Sequence, residues 1–202
     1  MESNTKTITD VDGNVYHTVT IGAQVWLVEN LKTTKYSDGT DIPFIEDTAA
    51  AWYELNASGY CWYSDDKSNK DITGALYNWY AVNTGKLAPQ GWHIPSDEEW
   101  KILTDYLGGE NVAGGKMKET GTAHWFDPNT GATNSSGFTA LSAGYRGKSG
   151  FIPLSIGSAL FWSSTEFDKS DSWMRYLSFD KEVVGRNNGG KYHGFSVRCL
   201  KD

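Results

Sequence analysis

The apolar positions of this chain repeat with two different periods, and the switch between them divides it. After the Asp12-Gly13 turn signal, Val15, His17, Val19 and Ile21 alternate with Tyr16, Thr18 and Thr20, the period of a half-buried strand. Gly22-Ala23 then reverses the chain into Gln24-Val25-Trp26-Leu27-Val28, which predicts an N-terminal β-ribbon. A second turn at Ser37-Asp38-Gly39-Thr40 precedes Ile42-Pro43, and residues 47–58 read as a short helix or loop carrying Trp52 and Tyr53.

Helical spacing takes over in the middle. Over residues 71–83, Leu76, Tyr77, Trp79, Tyr80 and Val82 fall close to it, with Gly85 as the stop. A sharper signal follows. Ser96 is an N-cap, Glu99 three residues on completes a capping box, and Asp97, Glu98 and Glu99 complement the positive end of the helix dipole. Trp100, Leu103 and Leu107 then recur at helical spacing, and Gly108-Gly109 ends the helix. These acidic residues therefore read as a helix start and not as a catalytic carboxylate cluster. From Gly114 onward no helical period is visible, and residues 121–137 read as long loops held down by Trp125, Phe126 and Phe138. Strands return at residues 159–164, 173–179 and 195–200, with Phe195, Val197 and Cys199 on one face of the last. The whole is an α+β pattern: an N-terminal β-ribbon, two main helices and long loops. Residues 1–9 are expected as a flexible N-terminal segment and 10–202 as a single domain, since no repeat, linker or charge run divides the chain.

Composition narrows the function classes. A net charge of −7 without Lys/Arg clusters argues against a nucleic-acid partner, because such binding releases counterions through basic patches. No stretch approaches the roughly 20 apolar residues of a membrane span, and Met1-Glu2-Ser3-Asn4-Thr5-Lys6 leads into no apolar signal region, so export is not read from the N-terminus. Nine Trp, eleven Tyr, eight Phe and 22 Gly suit a turn-rich fold with broad aromatic packing and equally a carbohydrate- or protein-binding surface, and composition does not choose between them.

Little conventional chemistry is legible. There is no nucleophile elbow, P-loop, HExxH or EF-hand signature. Asp65, Asp66, Asn69 and Asp71 offer oxygen ligands of the kind Ca²⁺ takes, but not at EF-hand spacing, and Asx-rich turns place the same groups without metal. No metal or cofactor is expected, calcium being the one ion this cluster keeps open. His93 reads as a satisfied structural histidine, and His193, in a Gly-rich loop, as a surface contact. Cys61 and Cys199 each lie in an apparent strand, and buried free thiols and a disulfide both remain open. What remains is a surface. Residues 165–194 are dense in aromatic, amide and charged groups, Glu166, Phe167, Asp168 and Arg186 among them. Trp173, Arg175 and Tyr176 on a late strand, with Asn187, Asn188 and Tyr192 on the Gly-Gly-flanked loop that follows, are the candidates for one contiguous ligand-binding face. Trp173 and Arg175 share a strand parity that Tyr176 lacks, so at least one of them turns inward unless a bulge intervenes.

Several segments together carry a resemblance. Val19 to Trp26 running on to Tyr36, Gly74-Ala75-Leu76-Tyr77-Asn78-Trp79-Tyr80-Ala81-Val82, and Ala88-Pro89-Gln90-Gly91-Trp92-His93-Ile94-Pro95 belong to it. So do Phe161-Trp162-Ser163-Ser164-Thr165-Glu166 and Gly194-Phe195-Ser196-Val197-Arg198-Cys199. The chain resembles the Fibrobacter succinogenes major paralogous domain from about residue 10 to its end. That family is similar to the C-type-lectin-like fold in its formylglycine-generating-enzyme variant, where a capped helix follows a pattern like Pro95 to Trp100.

The resemblance implies exported or surface-attached proteins, often lipoproteins, of Bacteroidetes-type bacteria, with no established activity. Some relatives diversified by retroelements carry their variable residues on late strands and loops. An oxidising setting would favour pairing of Cys61 with Cys199. The copper site of formylglycine-generating enzymes uses a close pair of C-terminal cysteines, and with Cys199 alone in that region that chemistry does not carry over. The leading expectation is a non-enzymatic module that binds a glycan or a protein. A metal-dependent or enzymatic relative of formylglycine-generating enzymes and a structural surface or appendage component are the alternatives.

Overall fold

The computed structural model describes residues 6–46, 52–151 and 157–202. It is a mixed structure, mostly of strands, with a curled antiparallel sheet and a few short helices. In chain order the strands are β1 (Thr7–Thr9), β2 (Val15–Ile21), β3 (Gln24–Leu27), β4 (Tyr60–Trp62), β5 (Ala75–Tyr77), β6 (Trp92–His93), β7 (Arg146–Gly147), β8 (Gly150–Phe151), β9 (Ser158–Glu166), β10 (Asp171–Ser178), β11 (Gly185–Gly190) and β12 (Leu200–Lys201). The helices are α1 (Lys70–Thr73), α2 (Trp79–Val82), α3 (Asp97–Tyr106) and α4 (Glu110–Met117). One sheet runs β1-β2-β3-β12-β6, and a second runs β11-β10-β9. None of the described helices is long and apolar enough to cross a membrane.

Two hydrophobic clusters lie on opposite faces of the central strands, which explains why those strands read as apolar runs more than as alternations. Leu27, Leu160, Trp162, Met174 and Cys199 point into one cluster with Tyr16, Tyr77 and Trp79. Their neighbours Trp26, Phe161, Leu177 and Leu200 point into the other, with Trp100, Leu103 and Phe138. β2 passes between the two, so its buried residue is Tyr16 at one end and Ile21 at the other, while Val15 is exposed.

The capped helix forms as its spacing predicts. Ser96 Oγ accepts from the Glu99 N–H, and the Glu99 carboxylate accepts from the Ser96 N–H at 2.8 Å. Trp100 then packs 4.9 Å from Trp26 and 5.6 Å from Phe161, ring centroid to centroid.

Four expectations are corrected. The helix expected over 71–83 is broken at Gly74, which has φ 71, and Ala75–Tyr77 pairs instead with β4 (Cys61 opposite Leu76). All three residues of β5 are buried, and a fully buried strand shows no period that a helix lacks. The second substantial helix is α4, which runs past Gly114, where no helical period is expected. A Cβ on Gly114 would lie 2.5 Å from the Val183 carbonyl oxygen and one on Gly115 2.4 Å from that of Gly131. Its glycines are therefore there for close backbone packing, which propensity cannot reveal. Thr7–Thr9, expected within the flexible segment, is a strand paired with β2, and residues 1–5 lie outside the described residues. Of the last strand only Leu200–Lys201 is regular. Phe195 and Ser196 make single bridges to Tyr77 and Phe161, and Ser196 and Arg198 are as buried as Val197. Of the 47–58 segment, Trp52 and Tyr53 are helical, and residues 47–51 lie outside the described residues.

Candidate ligand-binding cleft and hairpin tip

β10 is the spine of the candidate site. Its register with β11 sets Trp173 opposite Asn188, Met174 opposite Asn187 and Arg175 opposite Arg186. On its other side the register with β9 shifts between Ser172, opposite Glu166, and Met174, opposite Trp162. An irregularity of the kind left open by strand parity therefore occurs next to Trp173 on the β9 side, while the pairing with β11 stays regular.

On the face toward α3, Arg175 is 3% exposed and donates to the Asp97 carboxylate at 2.7 Å and to the Asp97 carbonyl at 2.9 Å. Arg186 grips the same carboxylate from the solvent side, Nε to Oδ1 at 3.0 Å and Nη2 to Oδ2 at 2.9 Å. Burial works to raise the Asp97 carboxyl, but the two guanidiniums overcome it and hold it below the usual carboxylate range. The Arg186 guanidinium also lies flat over Trp173, 3.3 Å from the ring centroid, and Phe167 meets the Trp173 ring edge-on at 4.7 Å. Phe167 is 47% exposed at the β9–β10 tip. That tip is closed by Asp168, whose carboxylate accepts from the Ser170 and Asp171 N–H groups at 2.8 and 2.9 Å.

Arg186 joins this stack to a cleft of about 470 Å³ between α3 and the β10–β11 pair, which neither Phe167 nor Trp173 lines. Asp97, Arg175 and Arg186 form one wall, and Lys101 and Asp105, paired with each other, form another. Glu98 and Glu110 stand exposed at its rim and make no ion pair among the described residues. The cleft offers acceptors beside an aromatic surface. It offers no nucleophile and base in contact: the four histidines bond to Glu29, to Glu99 and Asp202, to Glu119 and to the Gly190 carbonyl.

The six expected contact residues do not form one face. Trp173 and Asn188 lie together at the tip, where Asn188 Nδ2 donates to Asp171 at 2.9 Å. Arg175 is buried beneath them. Tyr176 and Asn187 have the opposite parity: Tyr176 packs on the first hydrophobic cluster and Asn187 is exposed on that side. Tyr192 belongs to a separate patch, edge-on to Tyr53 at 4.8 Å. The physical reason is that residues 185–190, expected as loop, are a strand, so they obey alternation and cannot all turn outward.

Phe167 and Arg186 lie in the segment the sequence marks, but Asp97, Glu98 and Glu110 do not. No local signal links residue 97 to residues 175 and 186, because strand pairing sets 175 opposite 186 and the packing of α3 on β9 and β10 brings residue 97 to them. His193, expected at the surface, is stacked on Phe195 at 5.3 Å, and burial lowers its imidazole despite a bond to the Gly190 carbonyl.

His93 is held on both ring nitrogens, by Asp202 at 2.7 Å and Glu99 at 3.0 Å; burial pulls it down but these carboxylates raise it above its ordinary value. The calcium candidates are separately engaged. Asp65 pairs with Arg146, Asp66 caps the Ser68 N–H, Asn69 donates to the Tyr63 carbonyl and Asp71 pairs with Lys32. Among the described residues no group of three or more His, Cys, Asp or Glu side chains is placed to hold a metal ion.

The disulfide expectation is corrected: Cys61 and Cys199 are free buried thiols. They belong to different hydrophobic clusters, Cys61 with Trp52 and Leu76 and Cys199 with Tyr16 and Leu27. Burial pushes the Cys61 thiol up to about 12 against the opposing pull of Arg146, and raises Cys199 further.

Searches of the curated proteins and of the solved structures return no match. The model of the Fibrobacter succinogenes major domain matches residues 19–201, nearly the whole chain from β2 to β12, and the chain therefore belongs to that family.

Proposed function

We propose that this chain is a non-enzymatic binding module on a C-type-lectin-like scaffold, presented outside the cell, and that it takes a glycan or protein ligand at the β9–β10 tip and the adjoining cleft. The supporting observation is a concave polar surface of about 470 Å³ lined by two uncommitted carboxylates, Glu98 and Glu110, and by Arg186, whose guanidinium lies over the Trp173 ring that the exposed Phe167 meets edge-on. A sugar suits it well. The apolar face of a pyranose packs on an aromatic ring, and its hydroxyls donate to carboxylates without any group in the cleft changing charge. Stacking falls to Phe167 and not to Trp173, because Arg186 covers a face of the Trp173 ring.

The test is binding to an immobilised glycan and surface-protein array by the wild type, Phe167→Ala and the double variant Glu98→Gln/Glu110→Gln. Loss of at least tenfold in apparent affinity for a glycan with an unchanged melting temperature supports the reading. Retention of wild-type binding by both variants overturns it. Binding to protein spots alone moves the assignment to a protein epitope. A thermal scan with Ca²⁺ and with EDTA is expected to give the same midpoint, since a ligand that binds only the native state would raise it.

A further inference from the structure

The tip that presents Phe167 is fastened from outside its own hairpin. Lys191, in the segment after β11, is 5% exposed although it carries a charge. Its ammonium donates to the Glu166 carboxylate, to the Asp168 carbonyl at 2.8 Å and to the Lys169 carbonyl at 2.9 Å. Its own N–H donates to the Ser170 carbonyl at 2.9 Å. One residue therefore engages four of the tip's residues. The other end of the fastening is the core: the ammonium lies 4.9 Å from the centroid of the Trp79 ring, and the Lys191 carbonyl accepts from the Trp79 N–H at 2.9 Å.

An ammonium has three donors, and here all three are spent on the tip. The Asp168 and Lys169 carbonyls consequently turn inward, which leaves the Phe167 side chain against Trp173. Without the ammonium the tip would be a short exposed connection held by the Asp168 turn and by backbone bonds at Asp171 and Ser170, with residues 166–169 free to sample arrangements in which Phe167 leaves Trp173.

We propose that Lys191 is the positioning residue of the binding tip: it touches no ligand, and it sets affinity by holding residues 166–170 in the arrangement that presents Phe167 beside the cleft. The proposal rests on the reading of this tip as the contact surface. Its physical basis is preorganisation, since a loop already fixed in its bound shape is not ordered at the expense of binding.

The experiment compares the full chain with Lys191→Met, which keeps the length of the side chain and removes the ammonium. Glu166→Ala serves as a milder second variant, because Glu166 is exposed and its truncation leaves the core intact. Amide exchange of Phe167, Ser170 and Asp171 and tryptic cleavage after Lys169 report the tip directly.

Lys191→Met is expected to speed tip exchange and cleavage after Lys169 at least tenfold while amides of α3 and β3 exchange as in the wild type. Glu166→Ala should give a smaller change in the same direction. Wild-type exchange and cleavage in both variants overturn the proposal. On the glycan array, Lys191→Met is expected to weaken binding tenfold or more, and Phe167→Ala/Lys191→Met to be no weaker than Phe167→Ala. If Phe167→Ala abolishes array binding and Lys191→Met leaves it unchanged, the positioning role alone fails. If Phe167→Ala has no effect, the contact surface has been misplaced, and the role of Lys191 in affinity falls with it.

Discussion

Lys118 and Lys191 carry out the same local chemistry in two parts of the molecule. Lys118 donates to the carbonyls of Thr130, Ser178 and Lys181 at 2.9, 2.9 and 2.8 Å, with its ammonium 5.5 Å from the Trp125 ring centroid. Lys191 likewise draws two carbonyls, and a carboxylate, onto one charge above Trp79. They differ in what lies around the gathered oxygens. Around Lys118 the gathered residues are Thr130 and Ser178, half-buried, and Lys181, exposed, and they close over Trp125 and Asn129, which are nearly sealed. Around Lys191 the gathered residues, Glu166, Asp168, Lys169 and Ser170, are all exposed and flank the exposed Phe167.

Arg198 belongs with Lys118. It is fully buried, donates to Asn30 and to the carbonyls of Leu27, Phe138 and Thr139, and has no carboxylate in contact among the described residues. Burial lowers Arg198 to about 9 and Lys118 to about 8, with neighbouring acids opposing in each case, so both remain largely charged at neutral pH. Irregular chain with few ladder partners must satisfy its carbonyls elsewhere, and a buried cation satisfies several at once. Where the joined chain closes over buried side chains, the device serves stability. Where it is a projecting tip, the same device serves presentation.

The strongest way to break this contrast is to remove each cation. Arg198→Met is expected to cost about 3–5 kcal/mol and Lys118→Met about 2–4 kcal/mol in urea unfolding, because several buried carbonyls lose their partner at once. Lys191→Met is expected to stay below about 1.5 kcal/mol, since the tip it releases can hydrate. Equal losses at Lys118 and Lys191 would erase the distinction.

Alkaline pH sharpens it by sign. An unfolded thiol ionises near 8.5, whereas burial keeps Cys61 and Cys199 protonated in the fold well above that. Above about pH 8.5 the folded state therefore holds more protons than the unfolded one, so the thiols' contribution is intact below that pH and is lost as pH rises toward 12. Lys118 works the other way. Its lowered value imposes a cost that is complete below about 8 and is relieved as pH rises toward the unfolded value of about 10.4. Between pH 8.5 and 9.5 the double variant Cys61→Ala/Cys199→Ala should lose about 2 kcal/mol less than the wild type, measured by chemical unfolding at each pH.

A smaller effect is expected at the helix start beneath the cleft: Ser96→Ala should cost about 1 kcal/mol, read from the denaturation midpoint. The smallest is Phe167→Ala, which should shift stability by no more than about 0.5 kcal/mol while removing the exposed aromatic ring. A larger loss would mean that Phe167 supports the fold and does not merely project from it.

The candidate site was partly legible before its geometry was known. The segment containing Phe167, Trp173 and Arg186 stands out by composition, and strand parity correctly warns that Trp173, Arg175 and Tyr176 cannot all face outward. The assignment of residues 185–190 to a loop fails because Gly-Arg-Asn-Asn-Gly-Gly has almost no strand propensity. Pairing with β10, itself anchored in both clusters, overrides that preference.

What the sequence determined by itself was whatever rests on near neighbours: the β2–β3 hairpin around Gly22-Ala23, the capping box at Ser96 and Glu99, and the apolar face of α3. Family membership was equally legible, since it rests on residue motifs that need no coordinates. The tertiary structure alone decided that Gly74 breaks a helical pattern, that Gly114 and Gly115 permit one, and that Cys61 and Cys199 stay apart in separate clusters. It also decided that Asp97 lies between Arg175 and Arg186, and that the ammoniums of Lys118 and Lys191 draw distant carbonyls together. Contacts between residues three or four apart are imposed by backbone geometry and can be read along the chain. A cation's choice among carbonyls many residues away depends on which strands have already paired, and no local pattern encodes that.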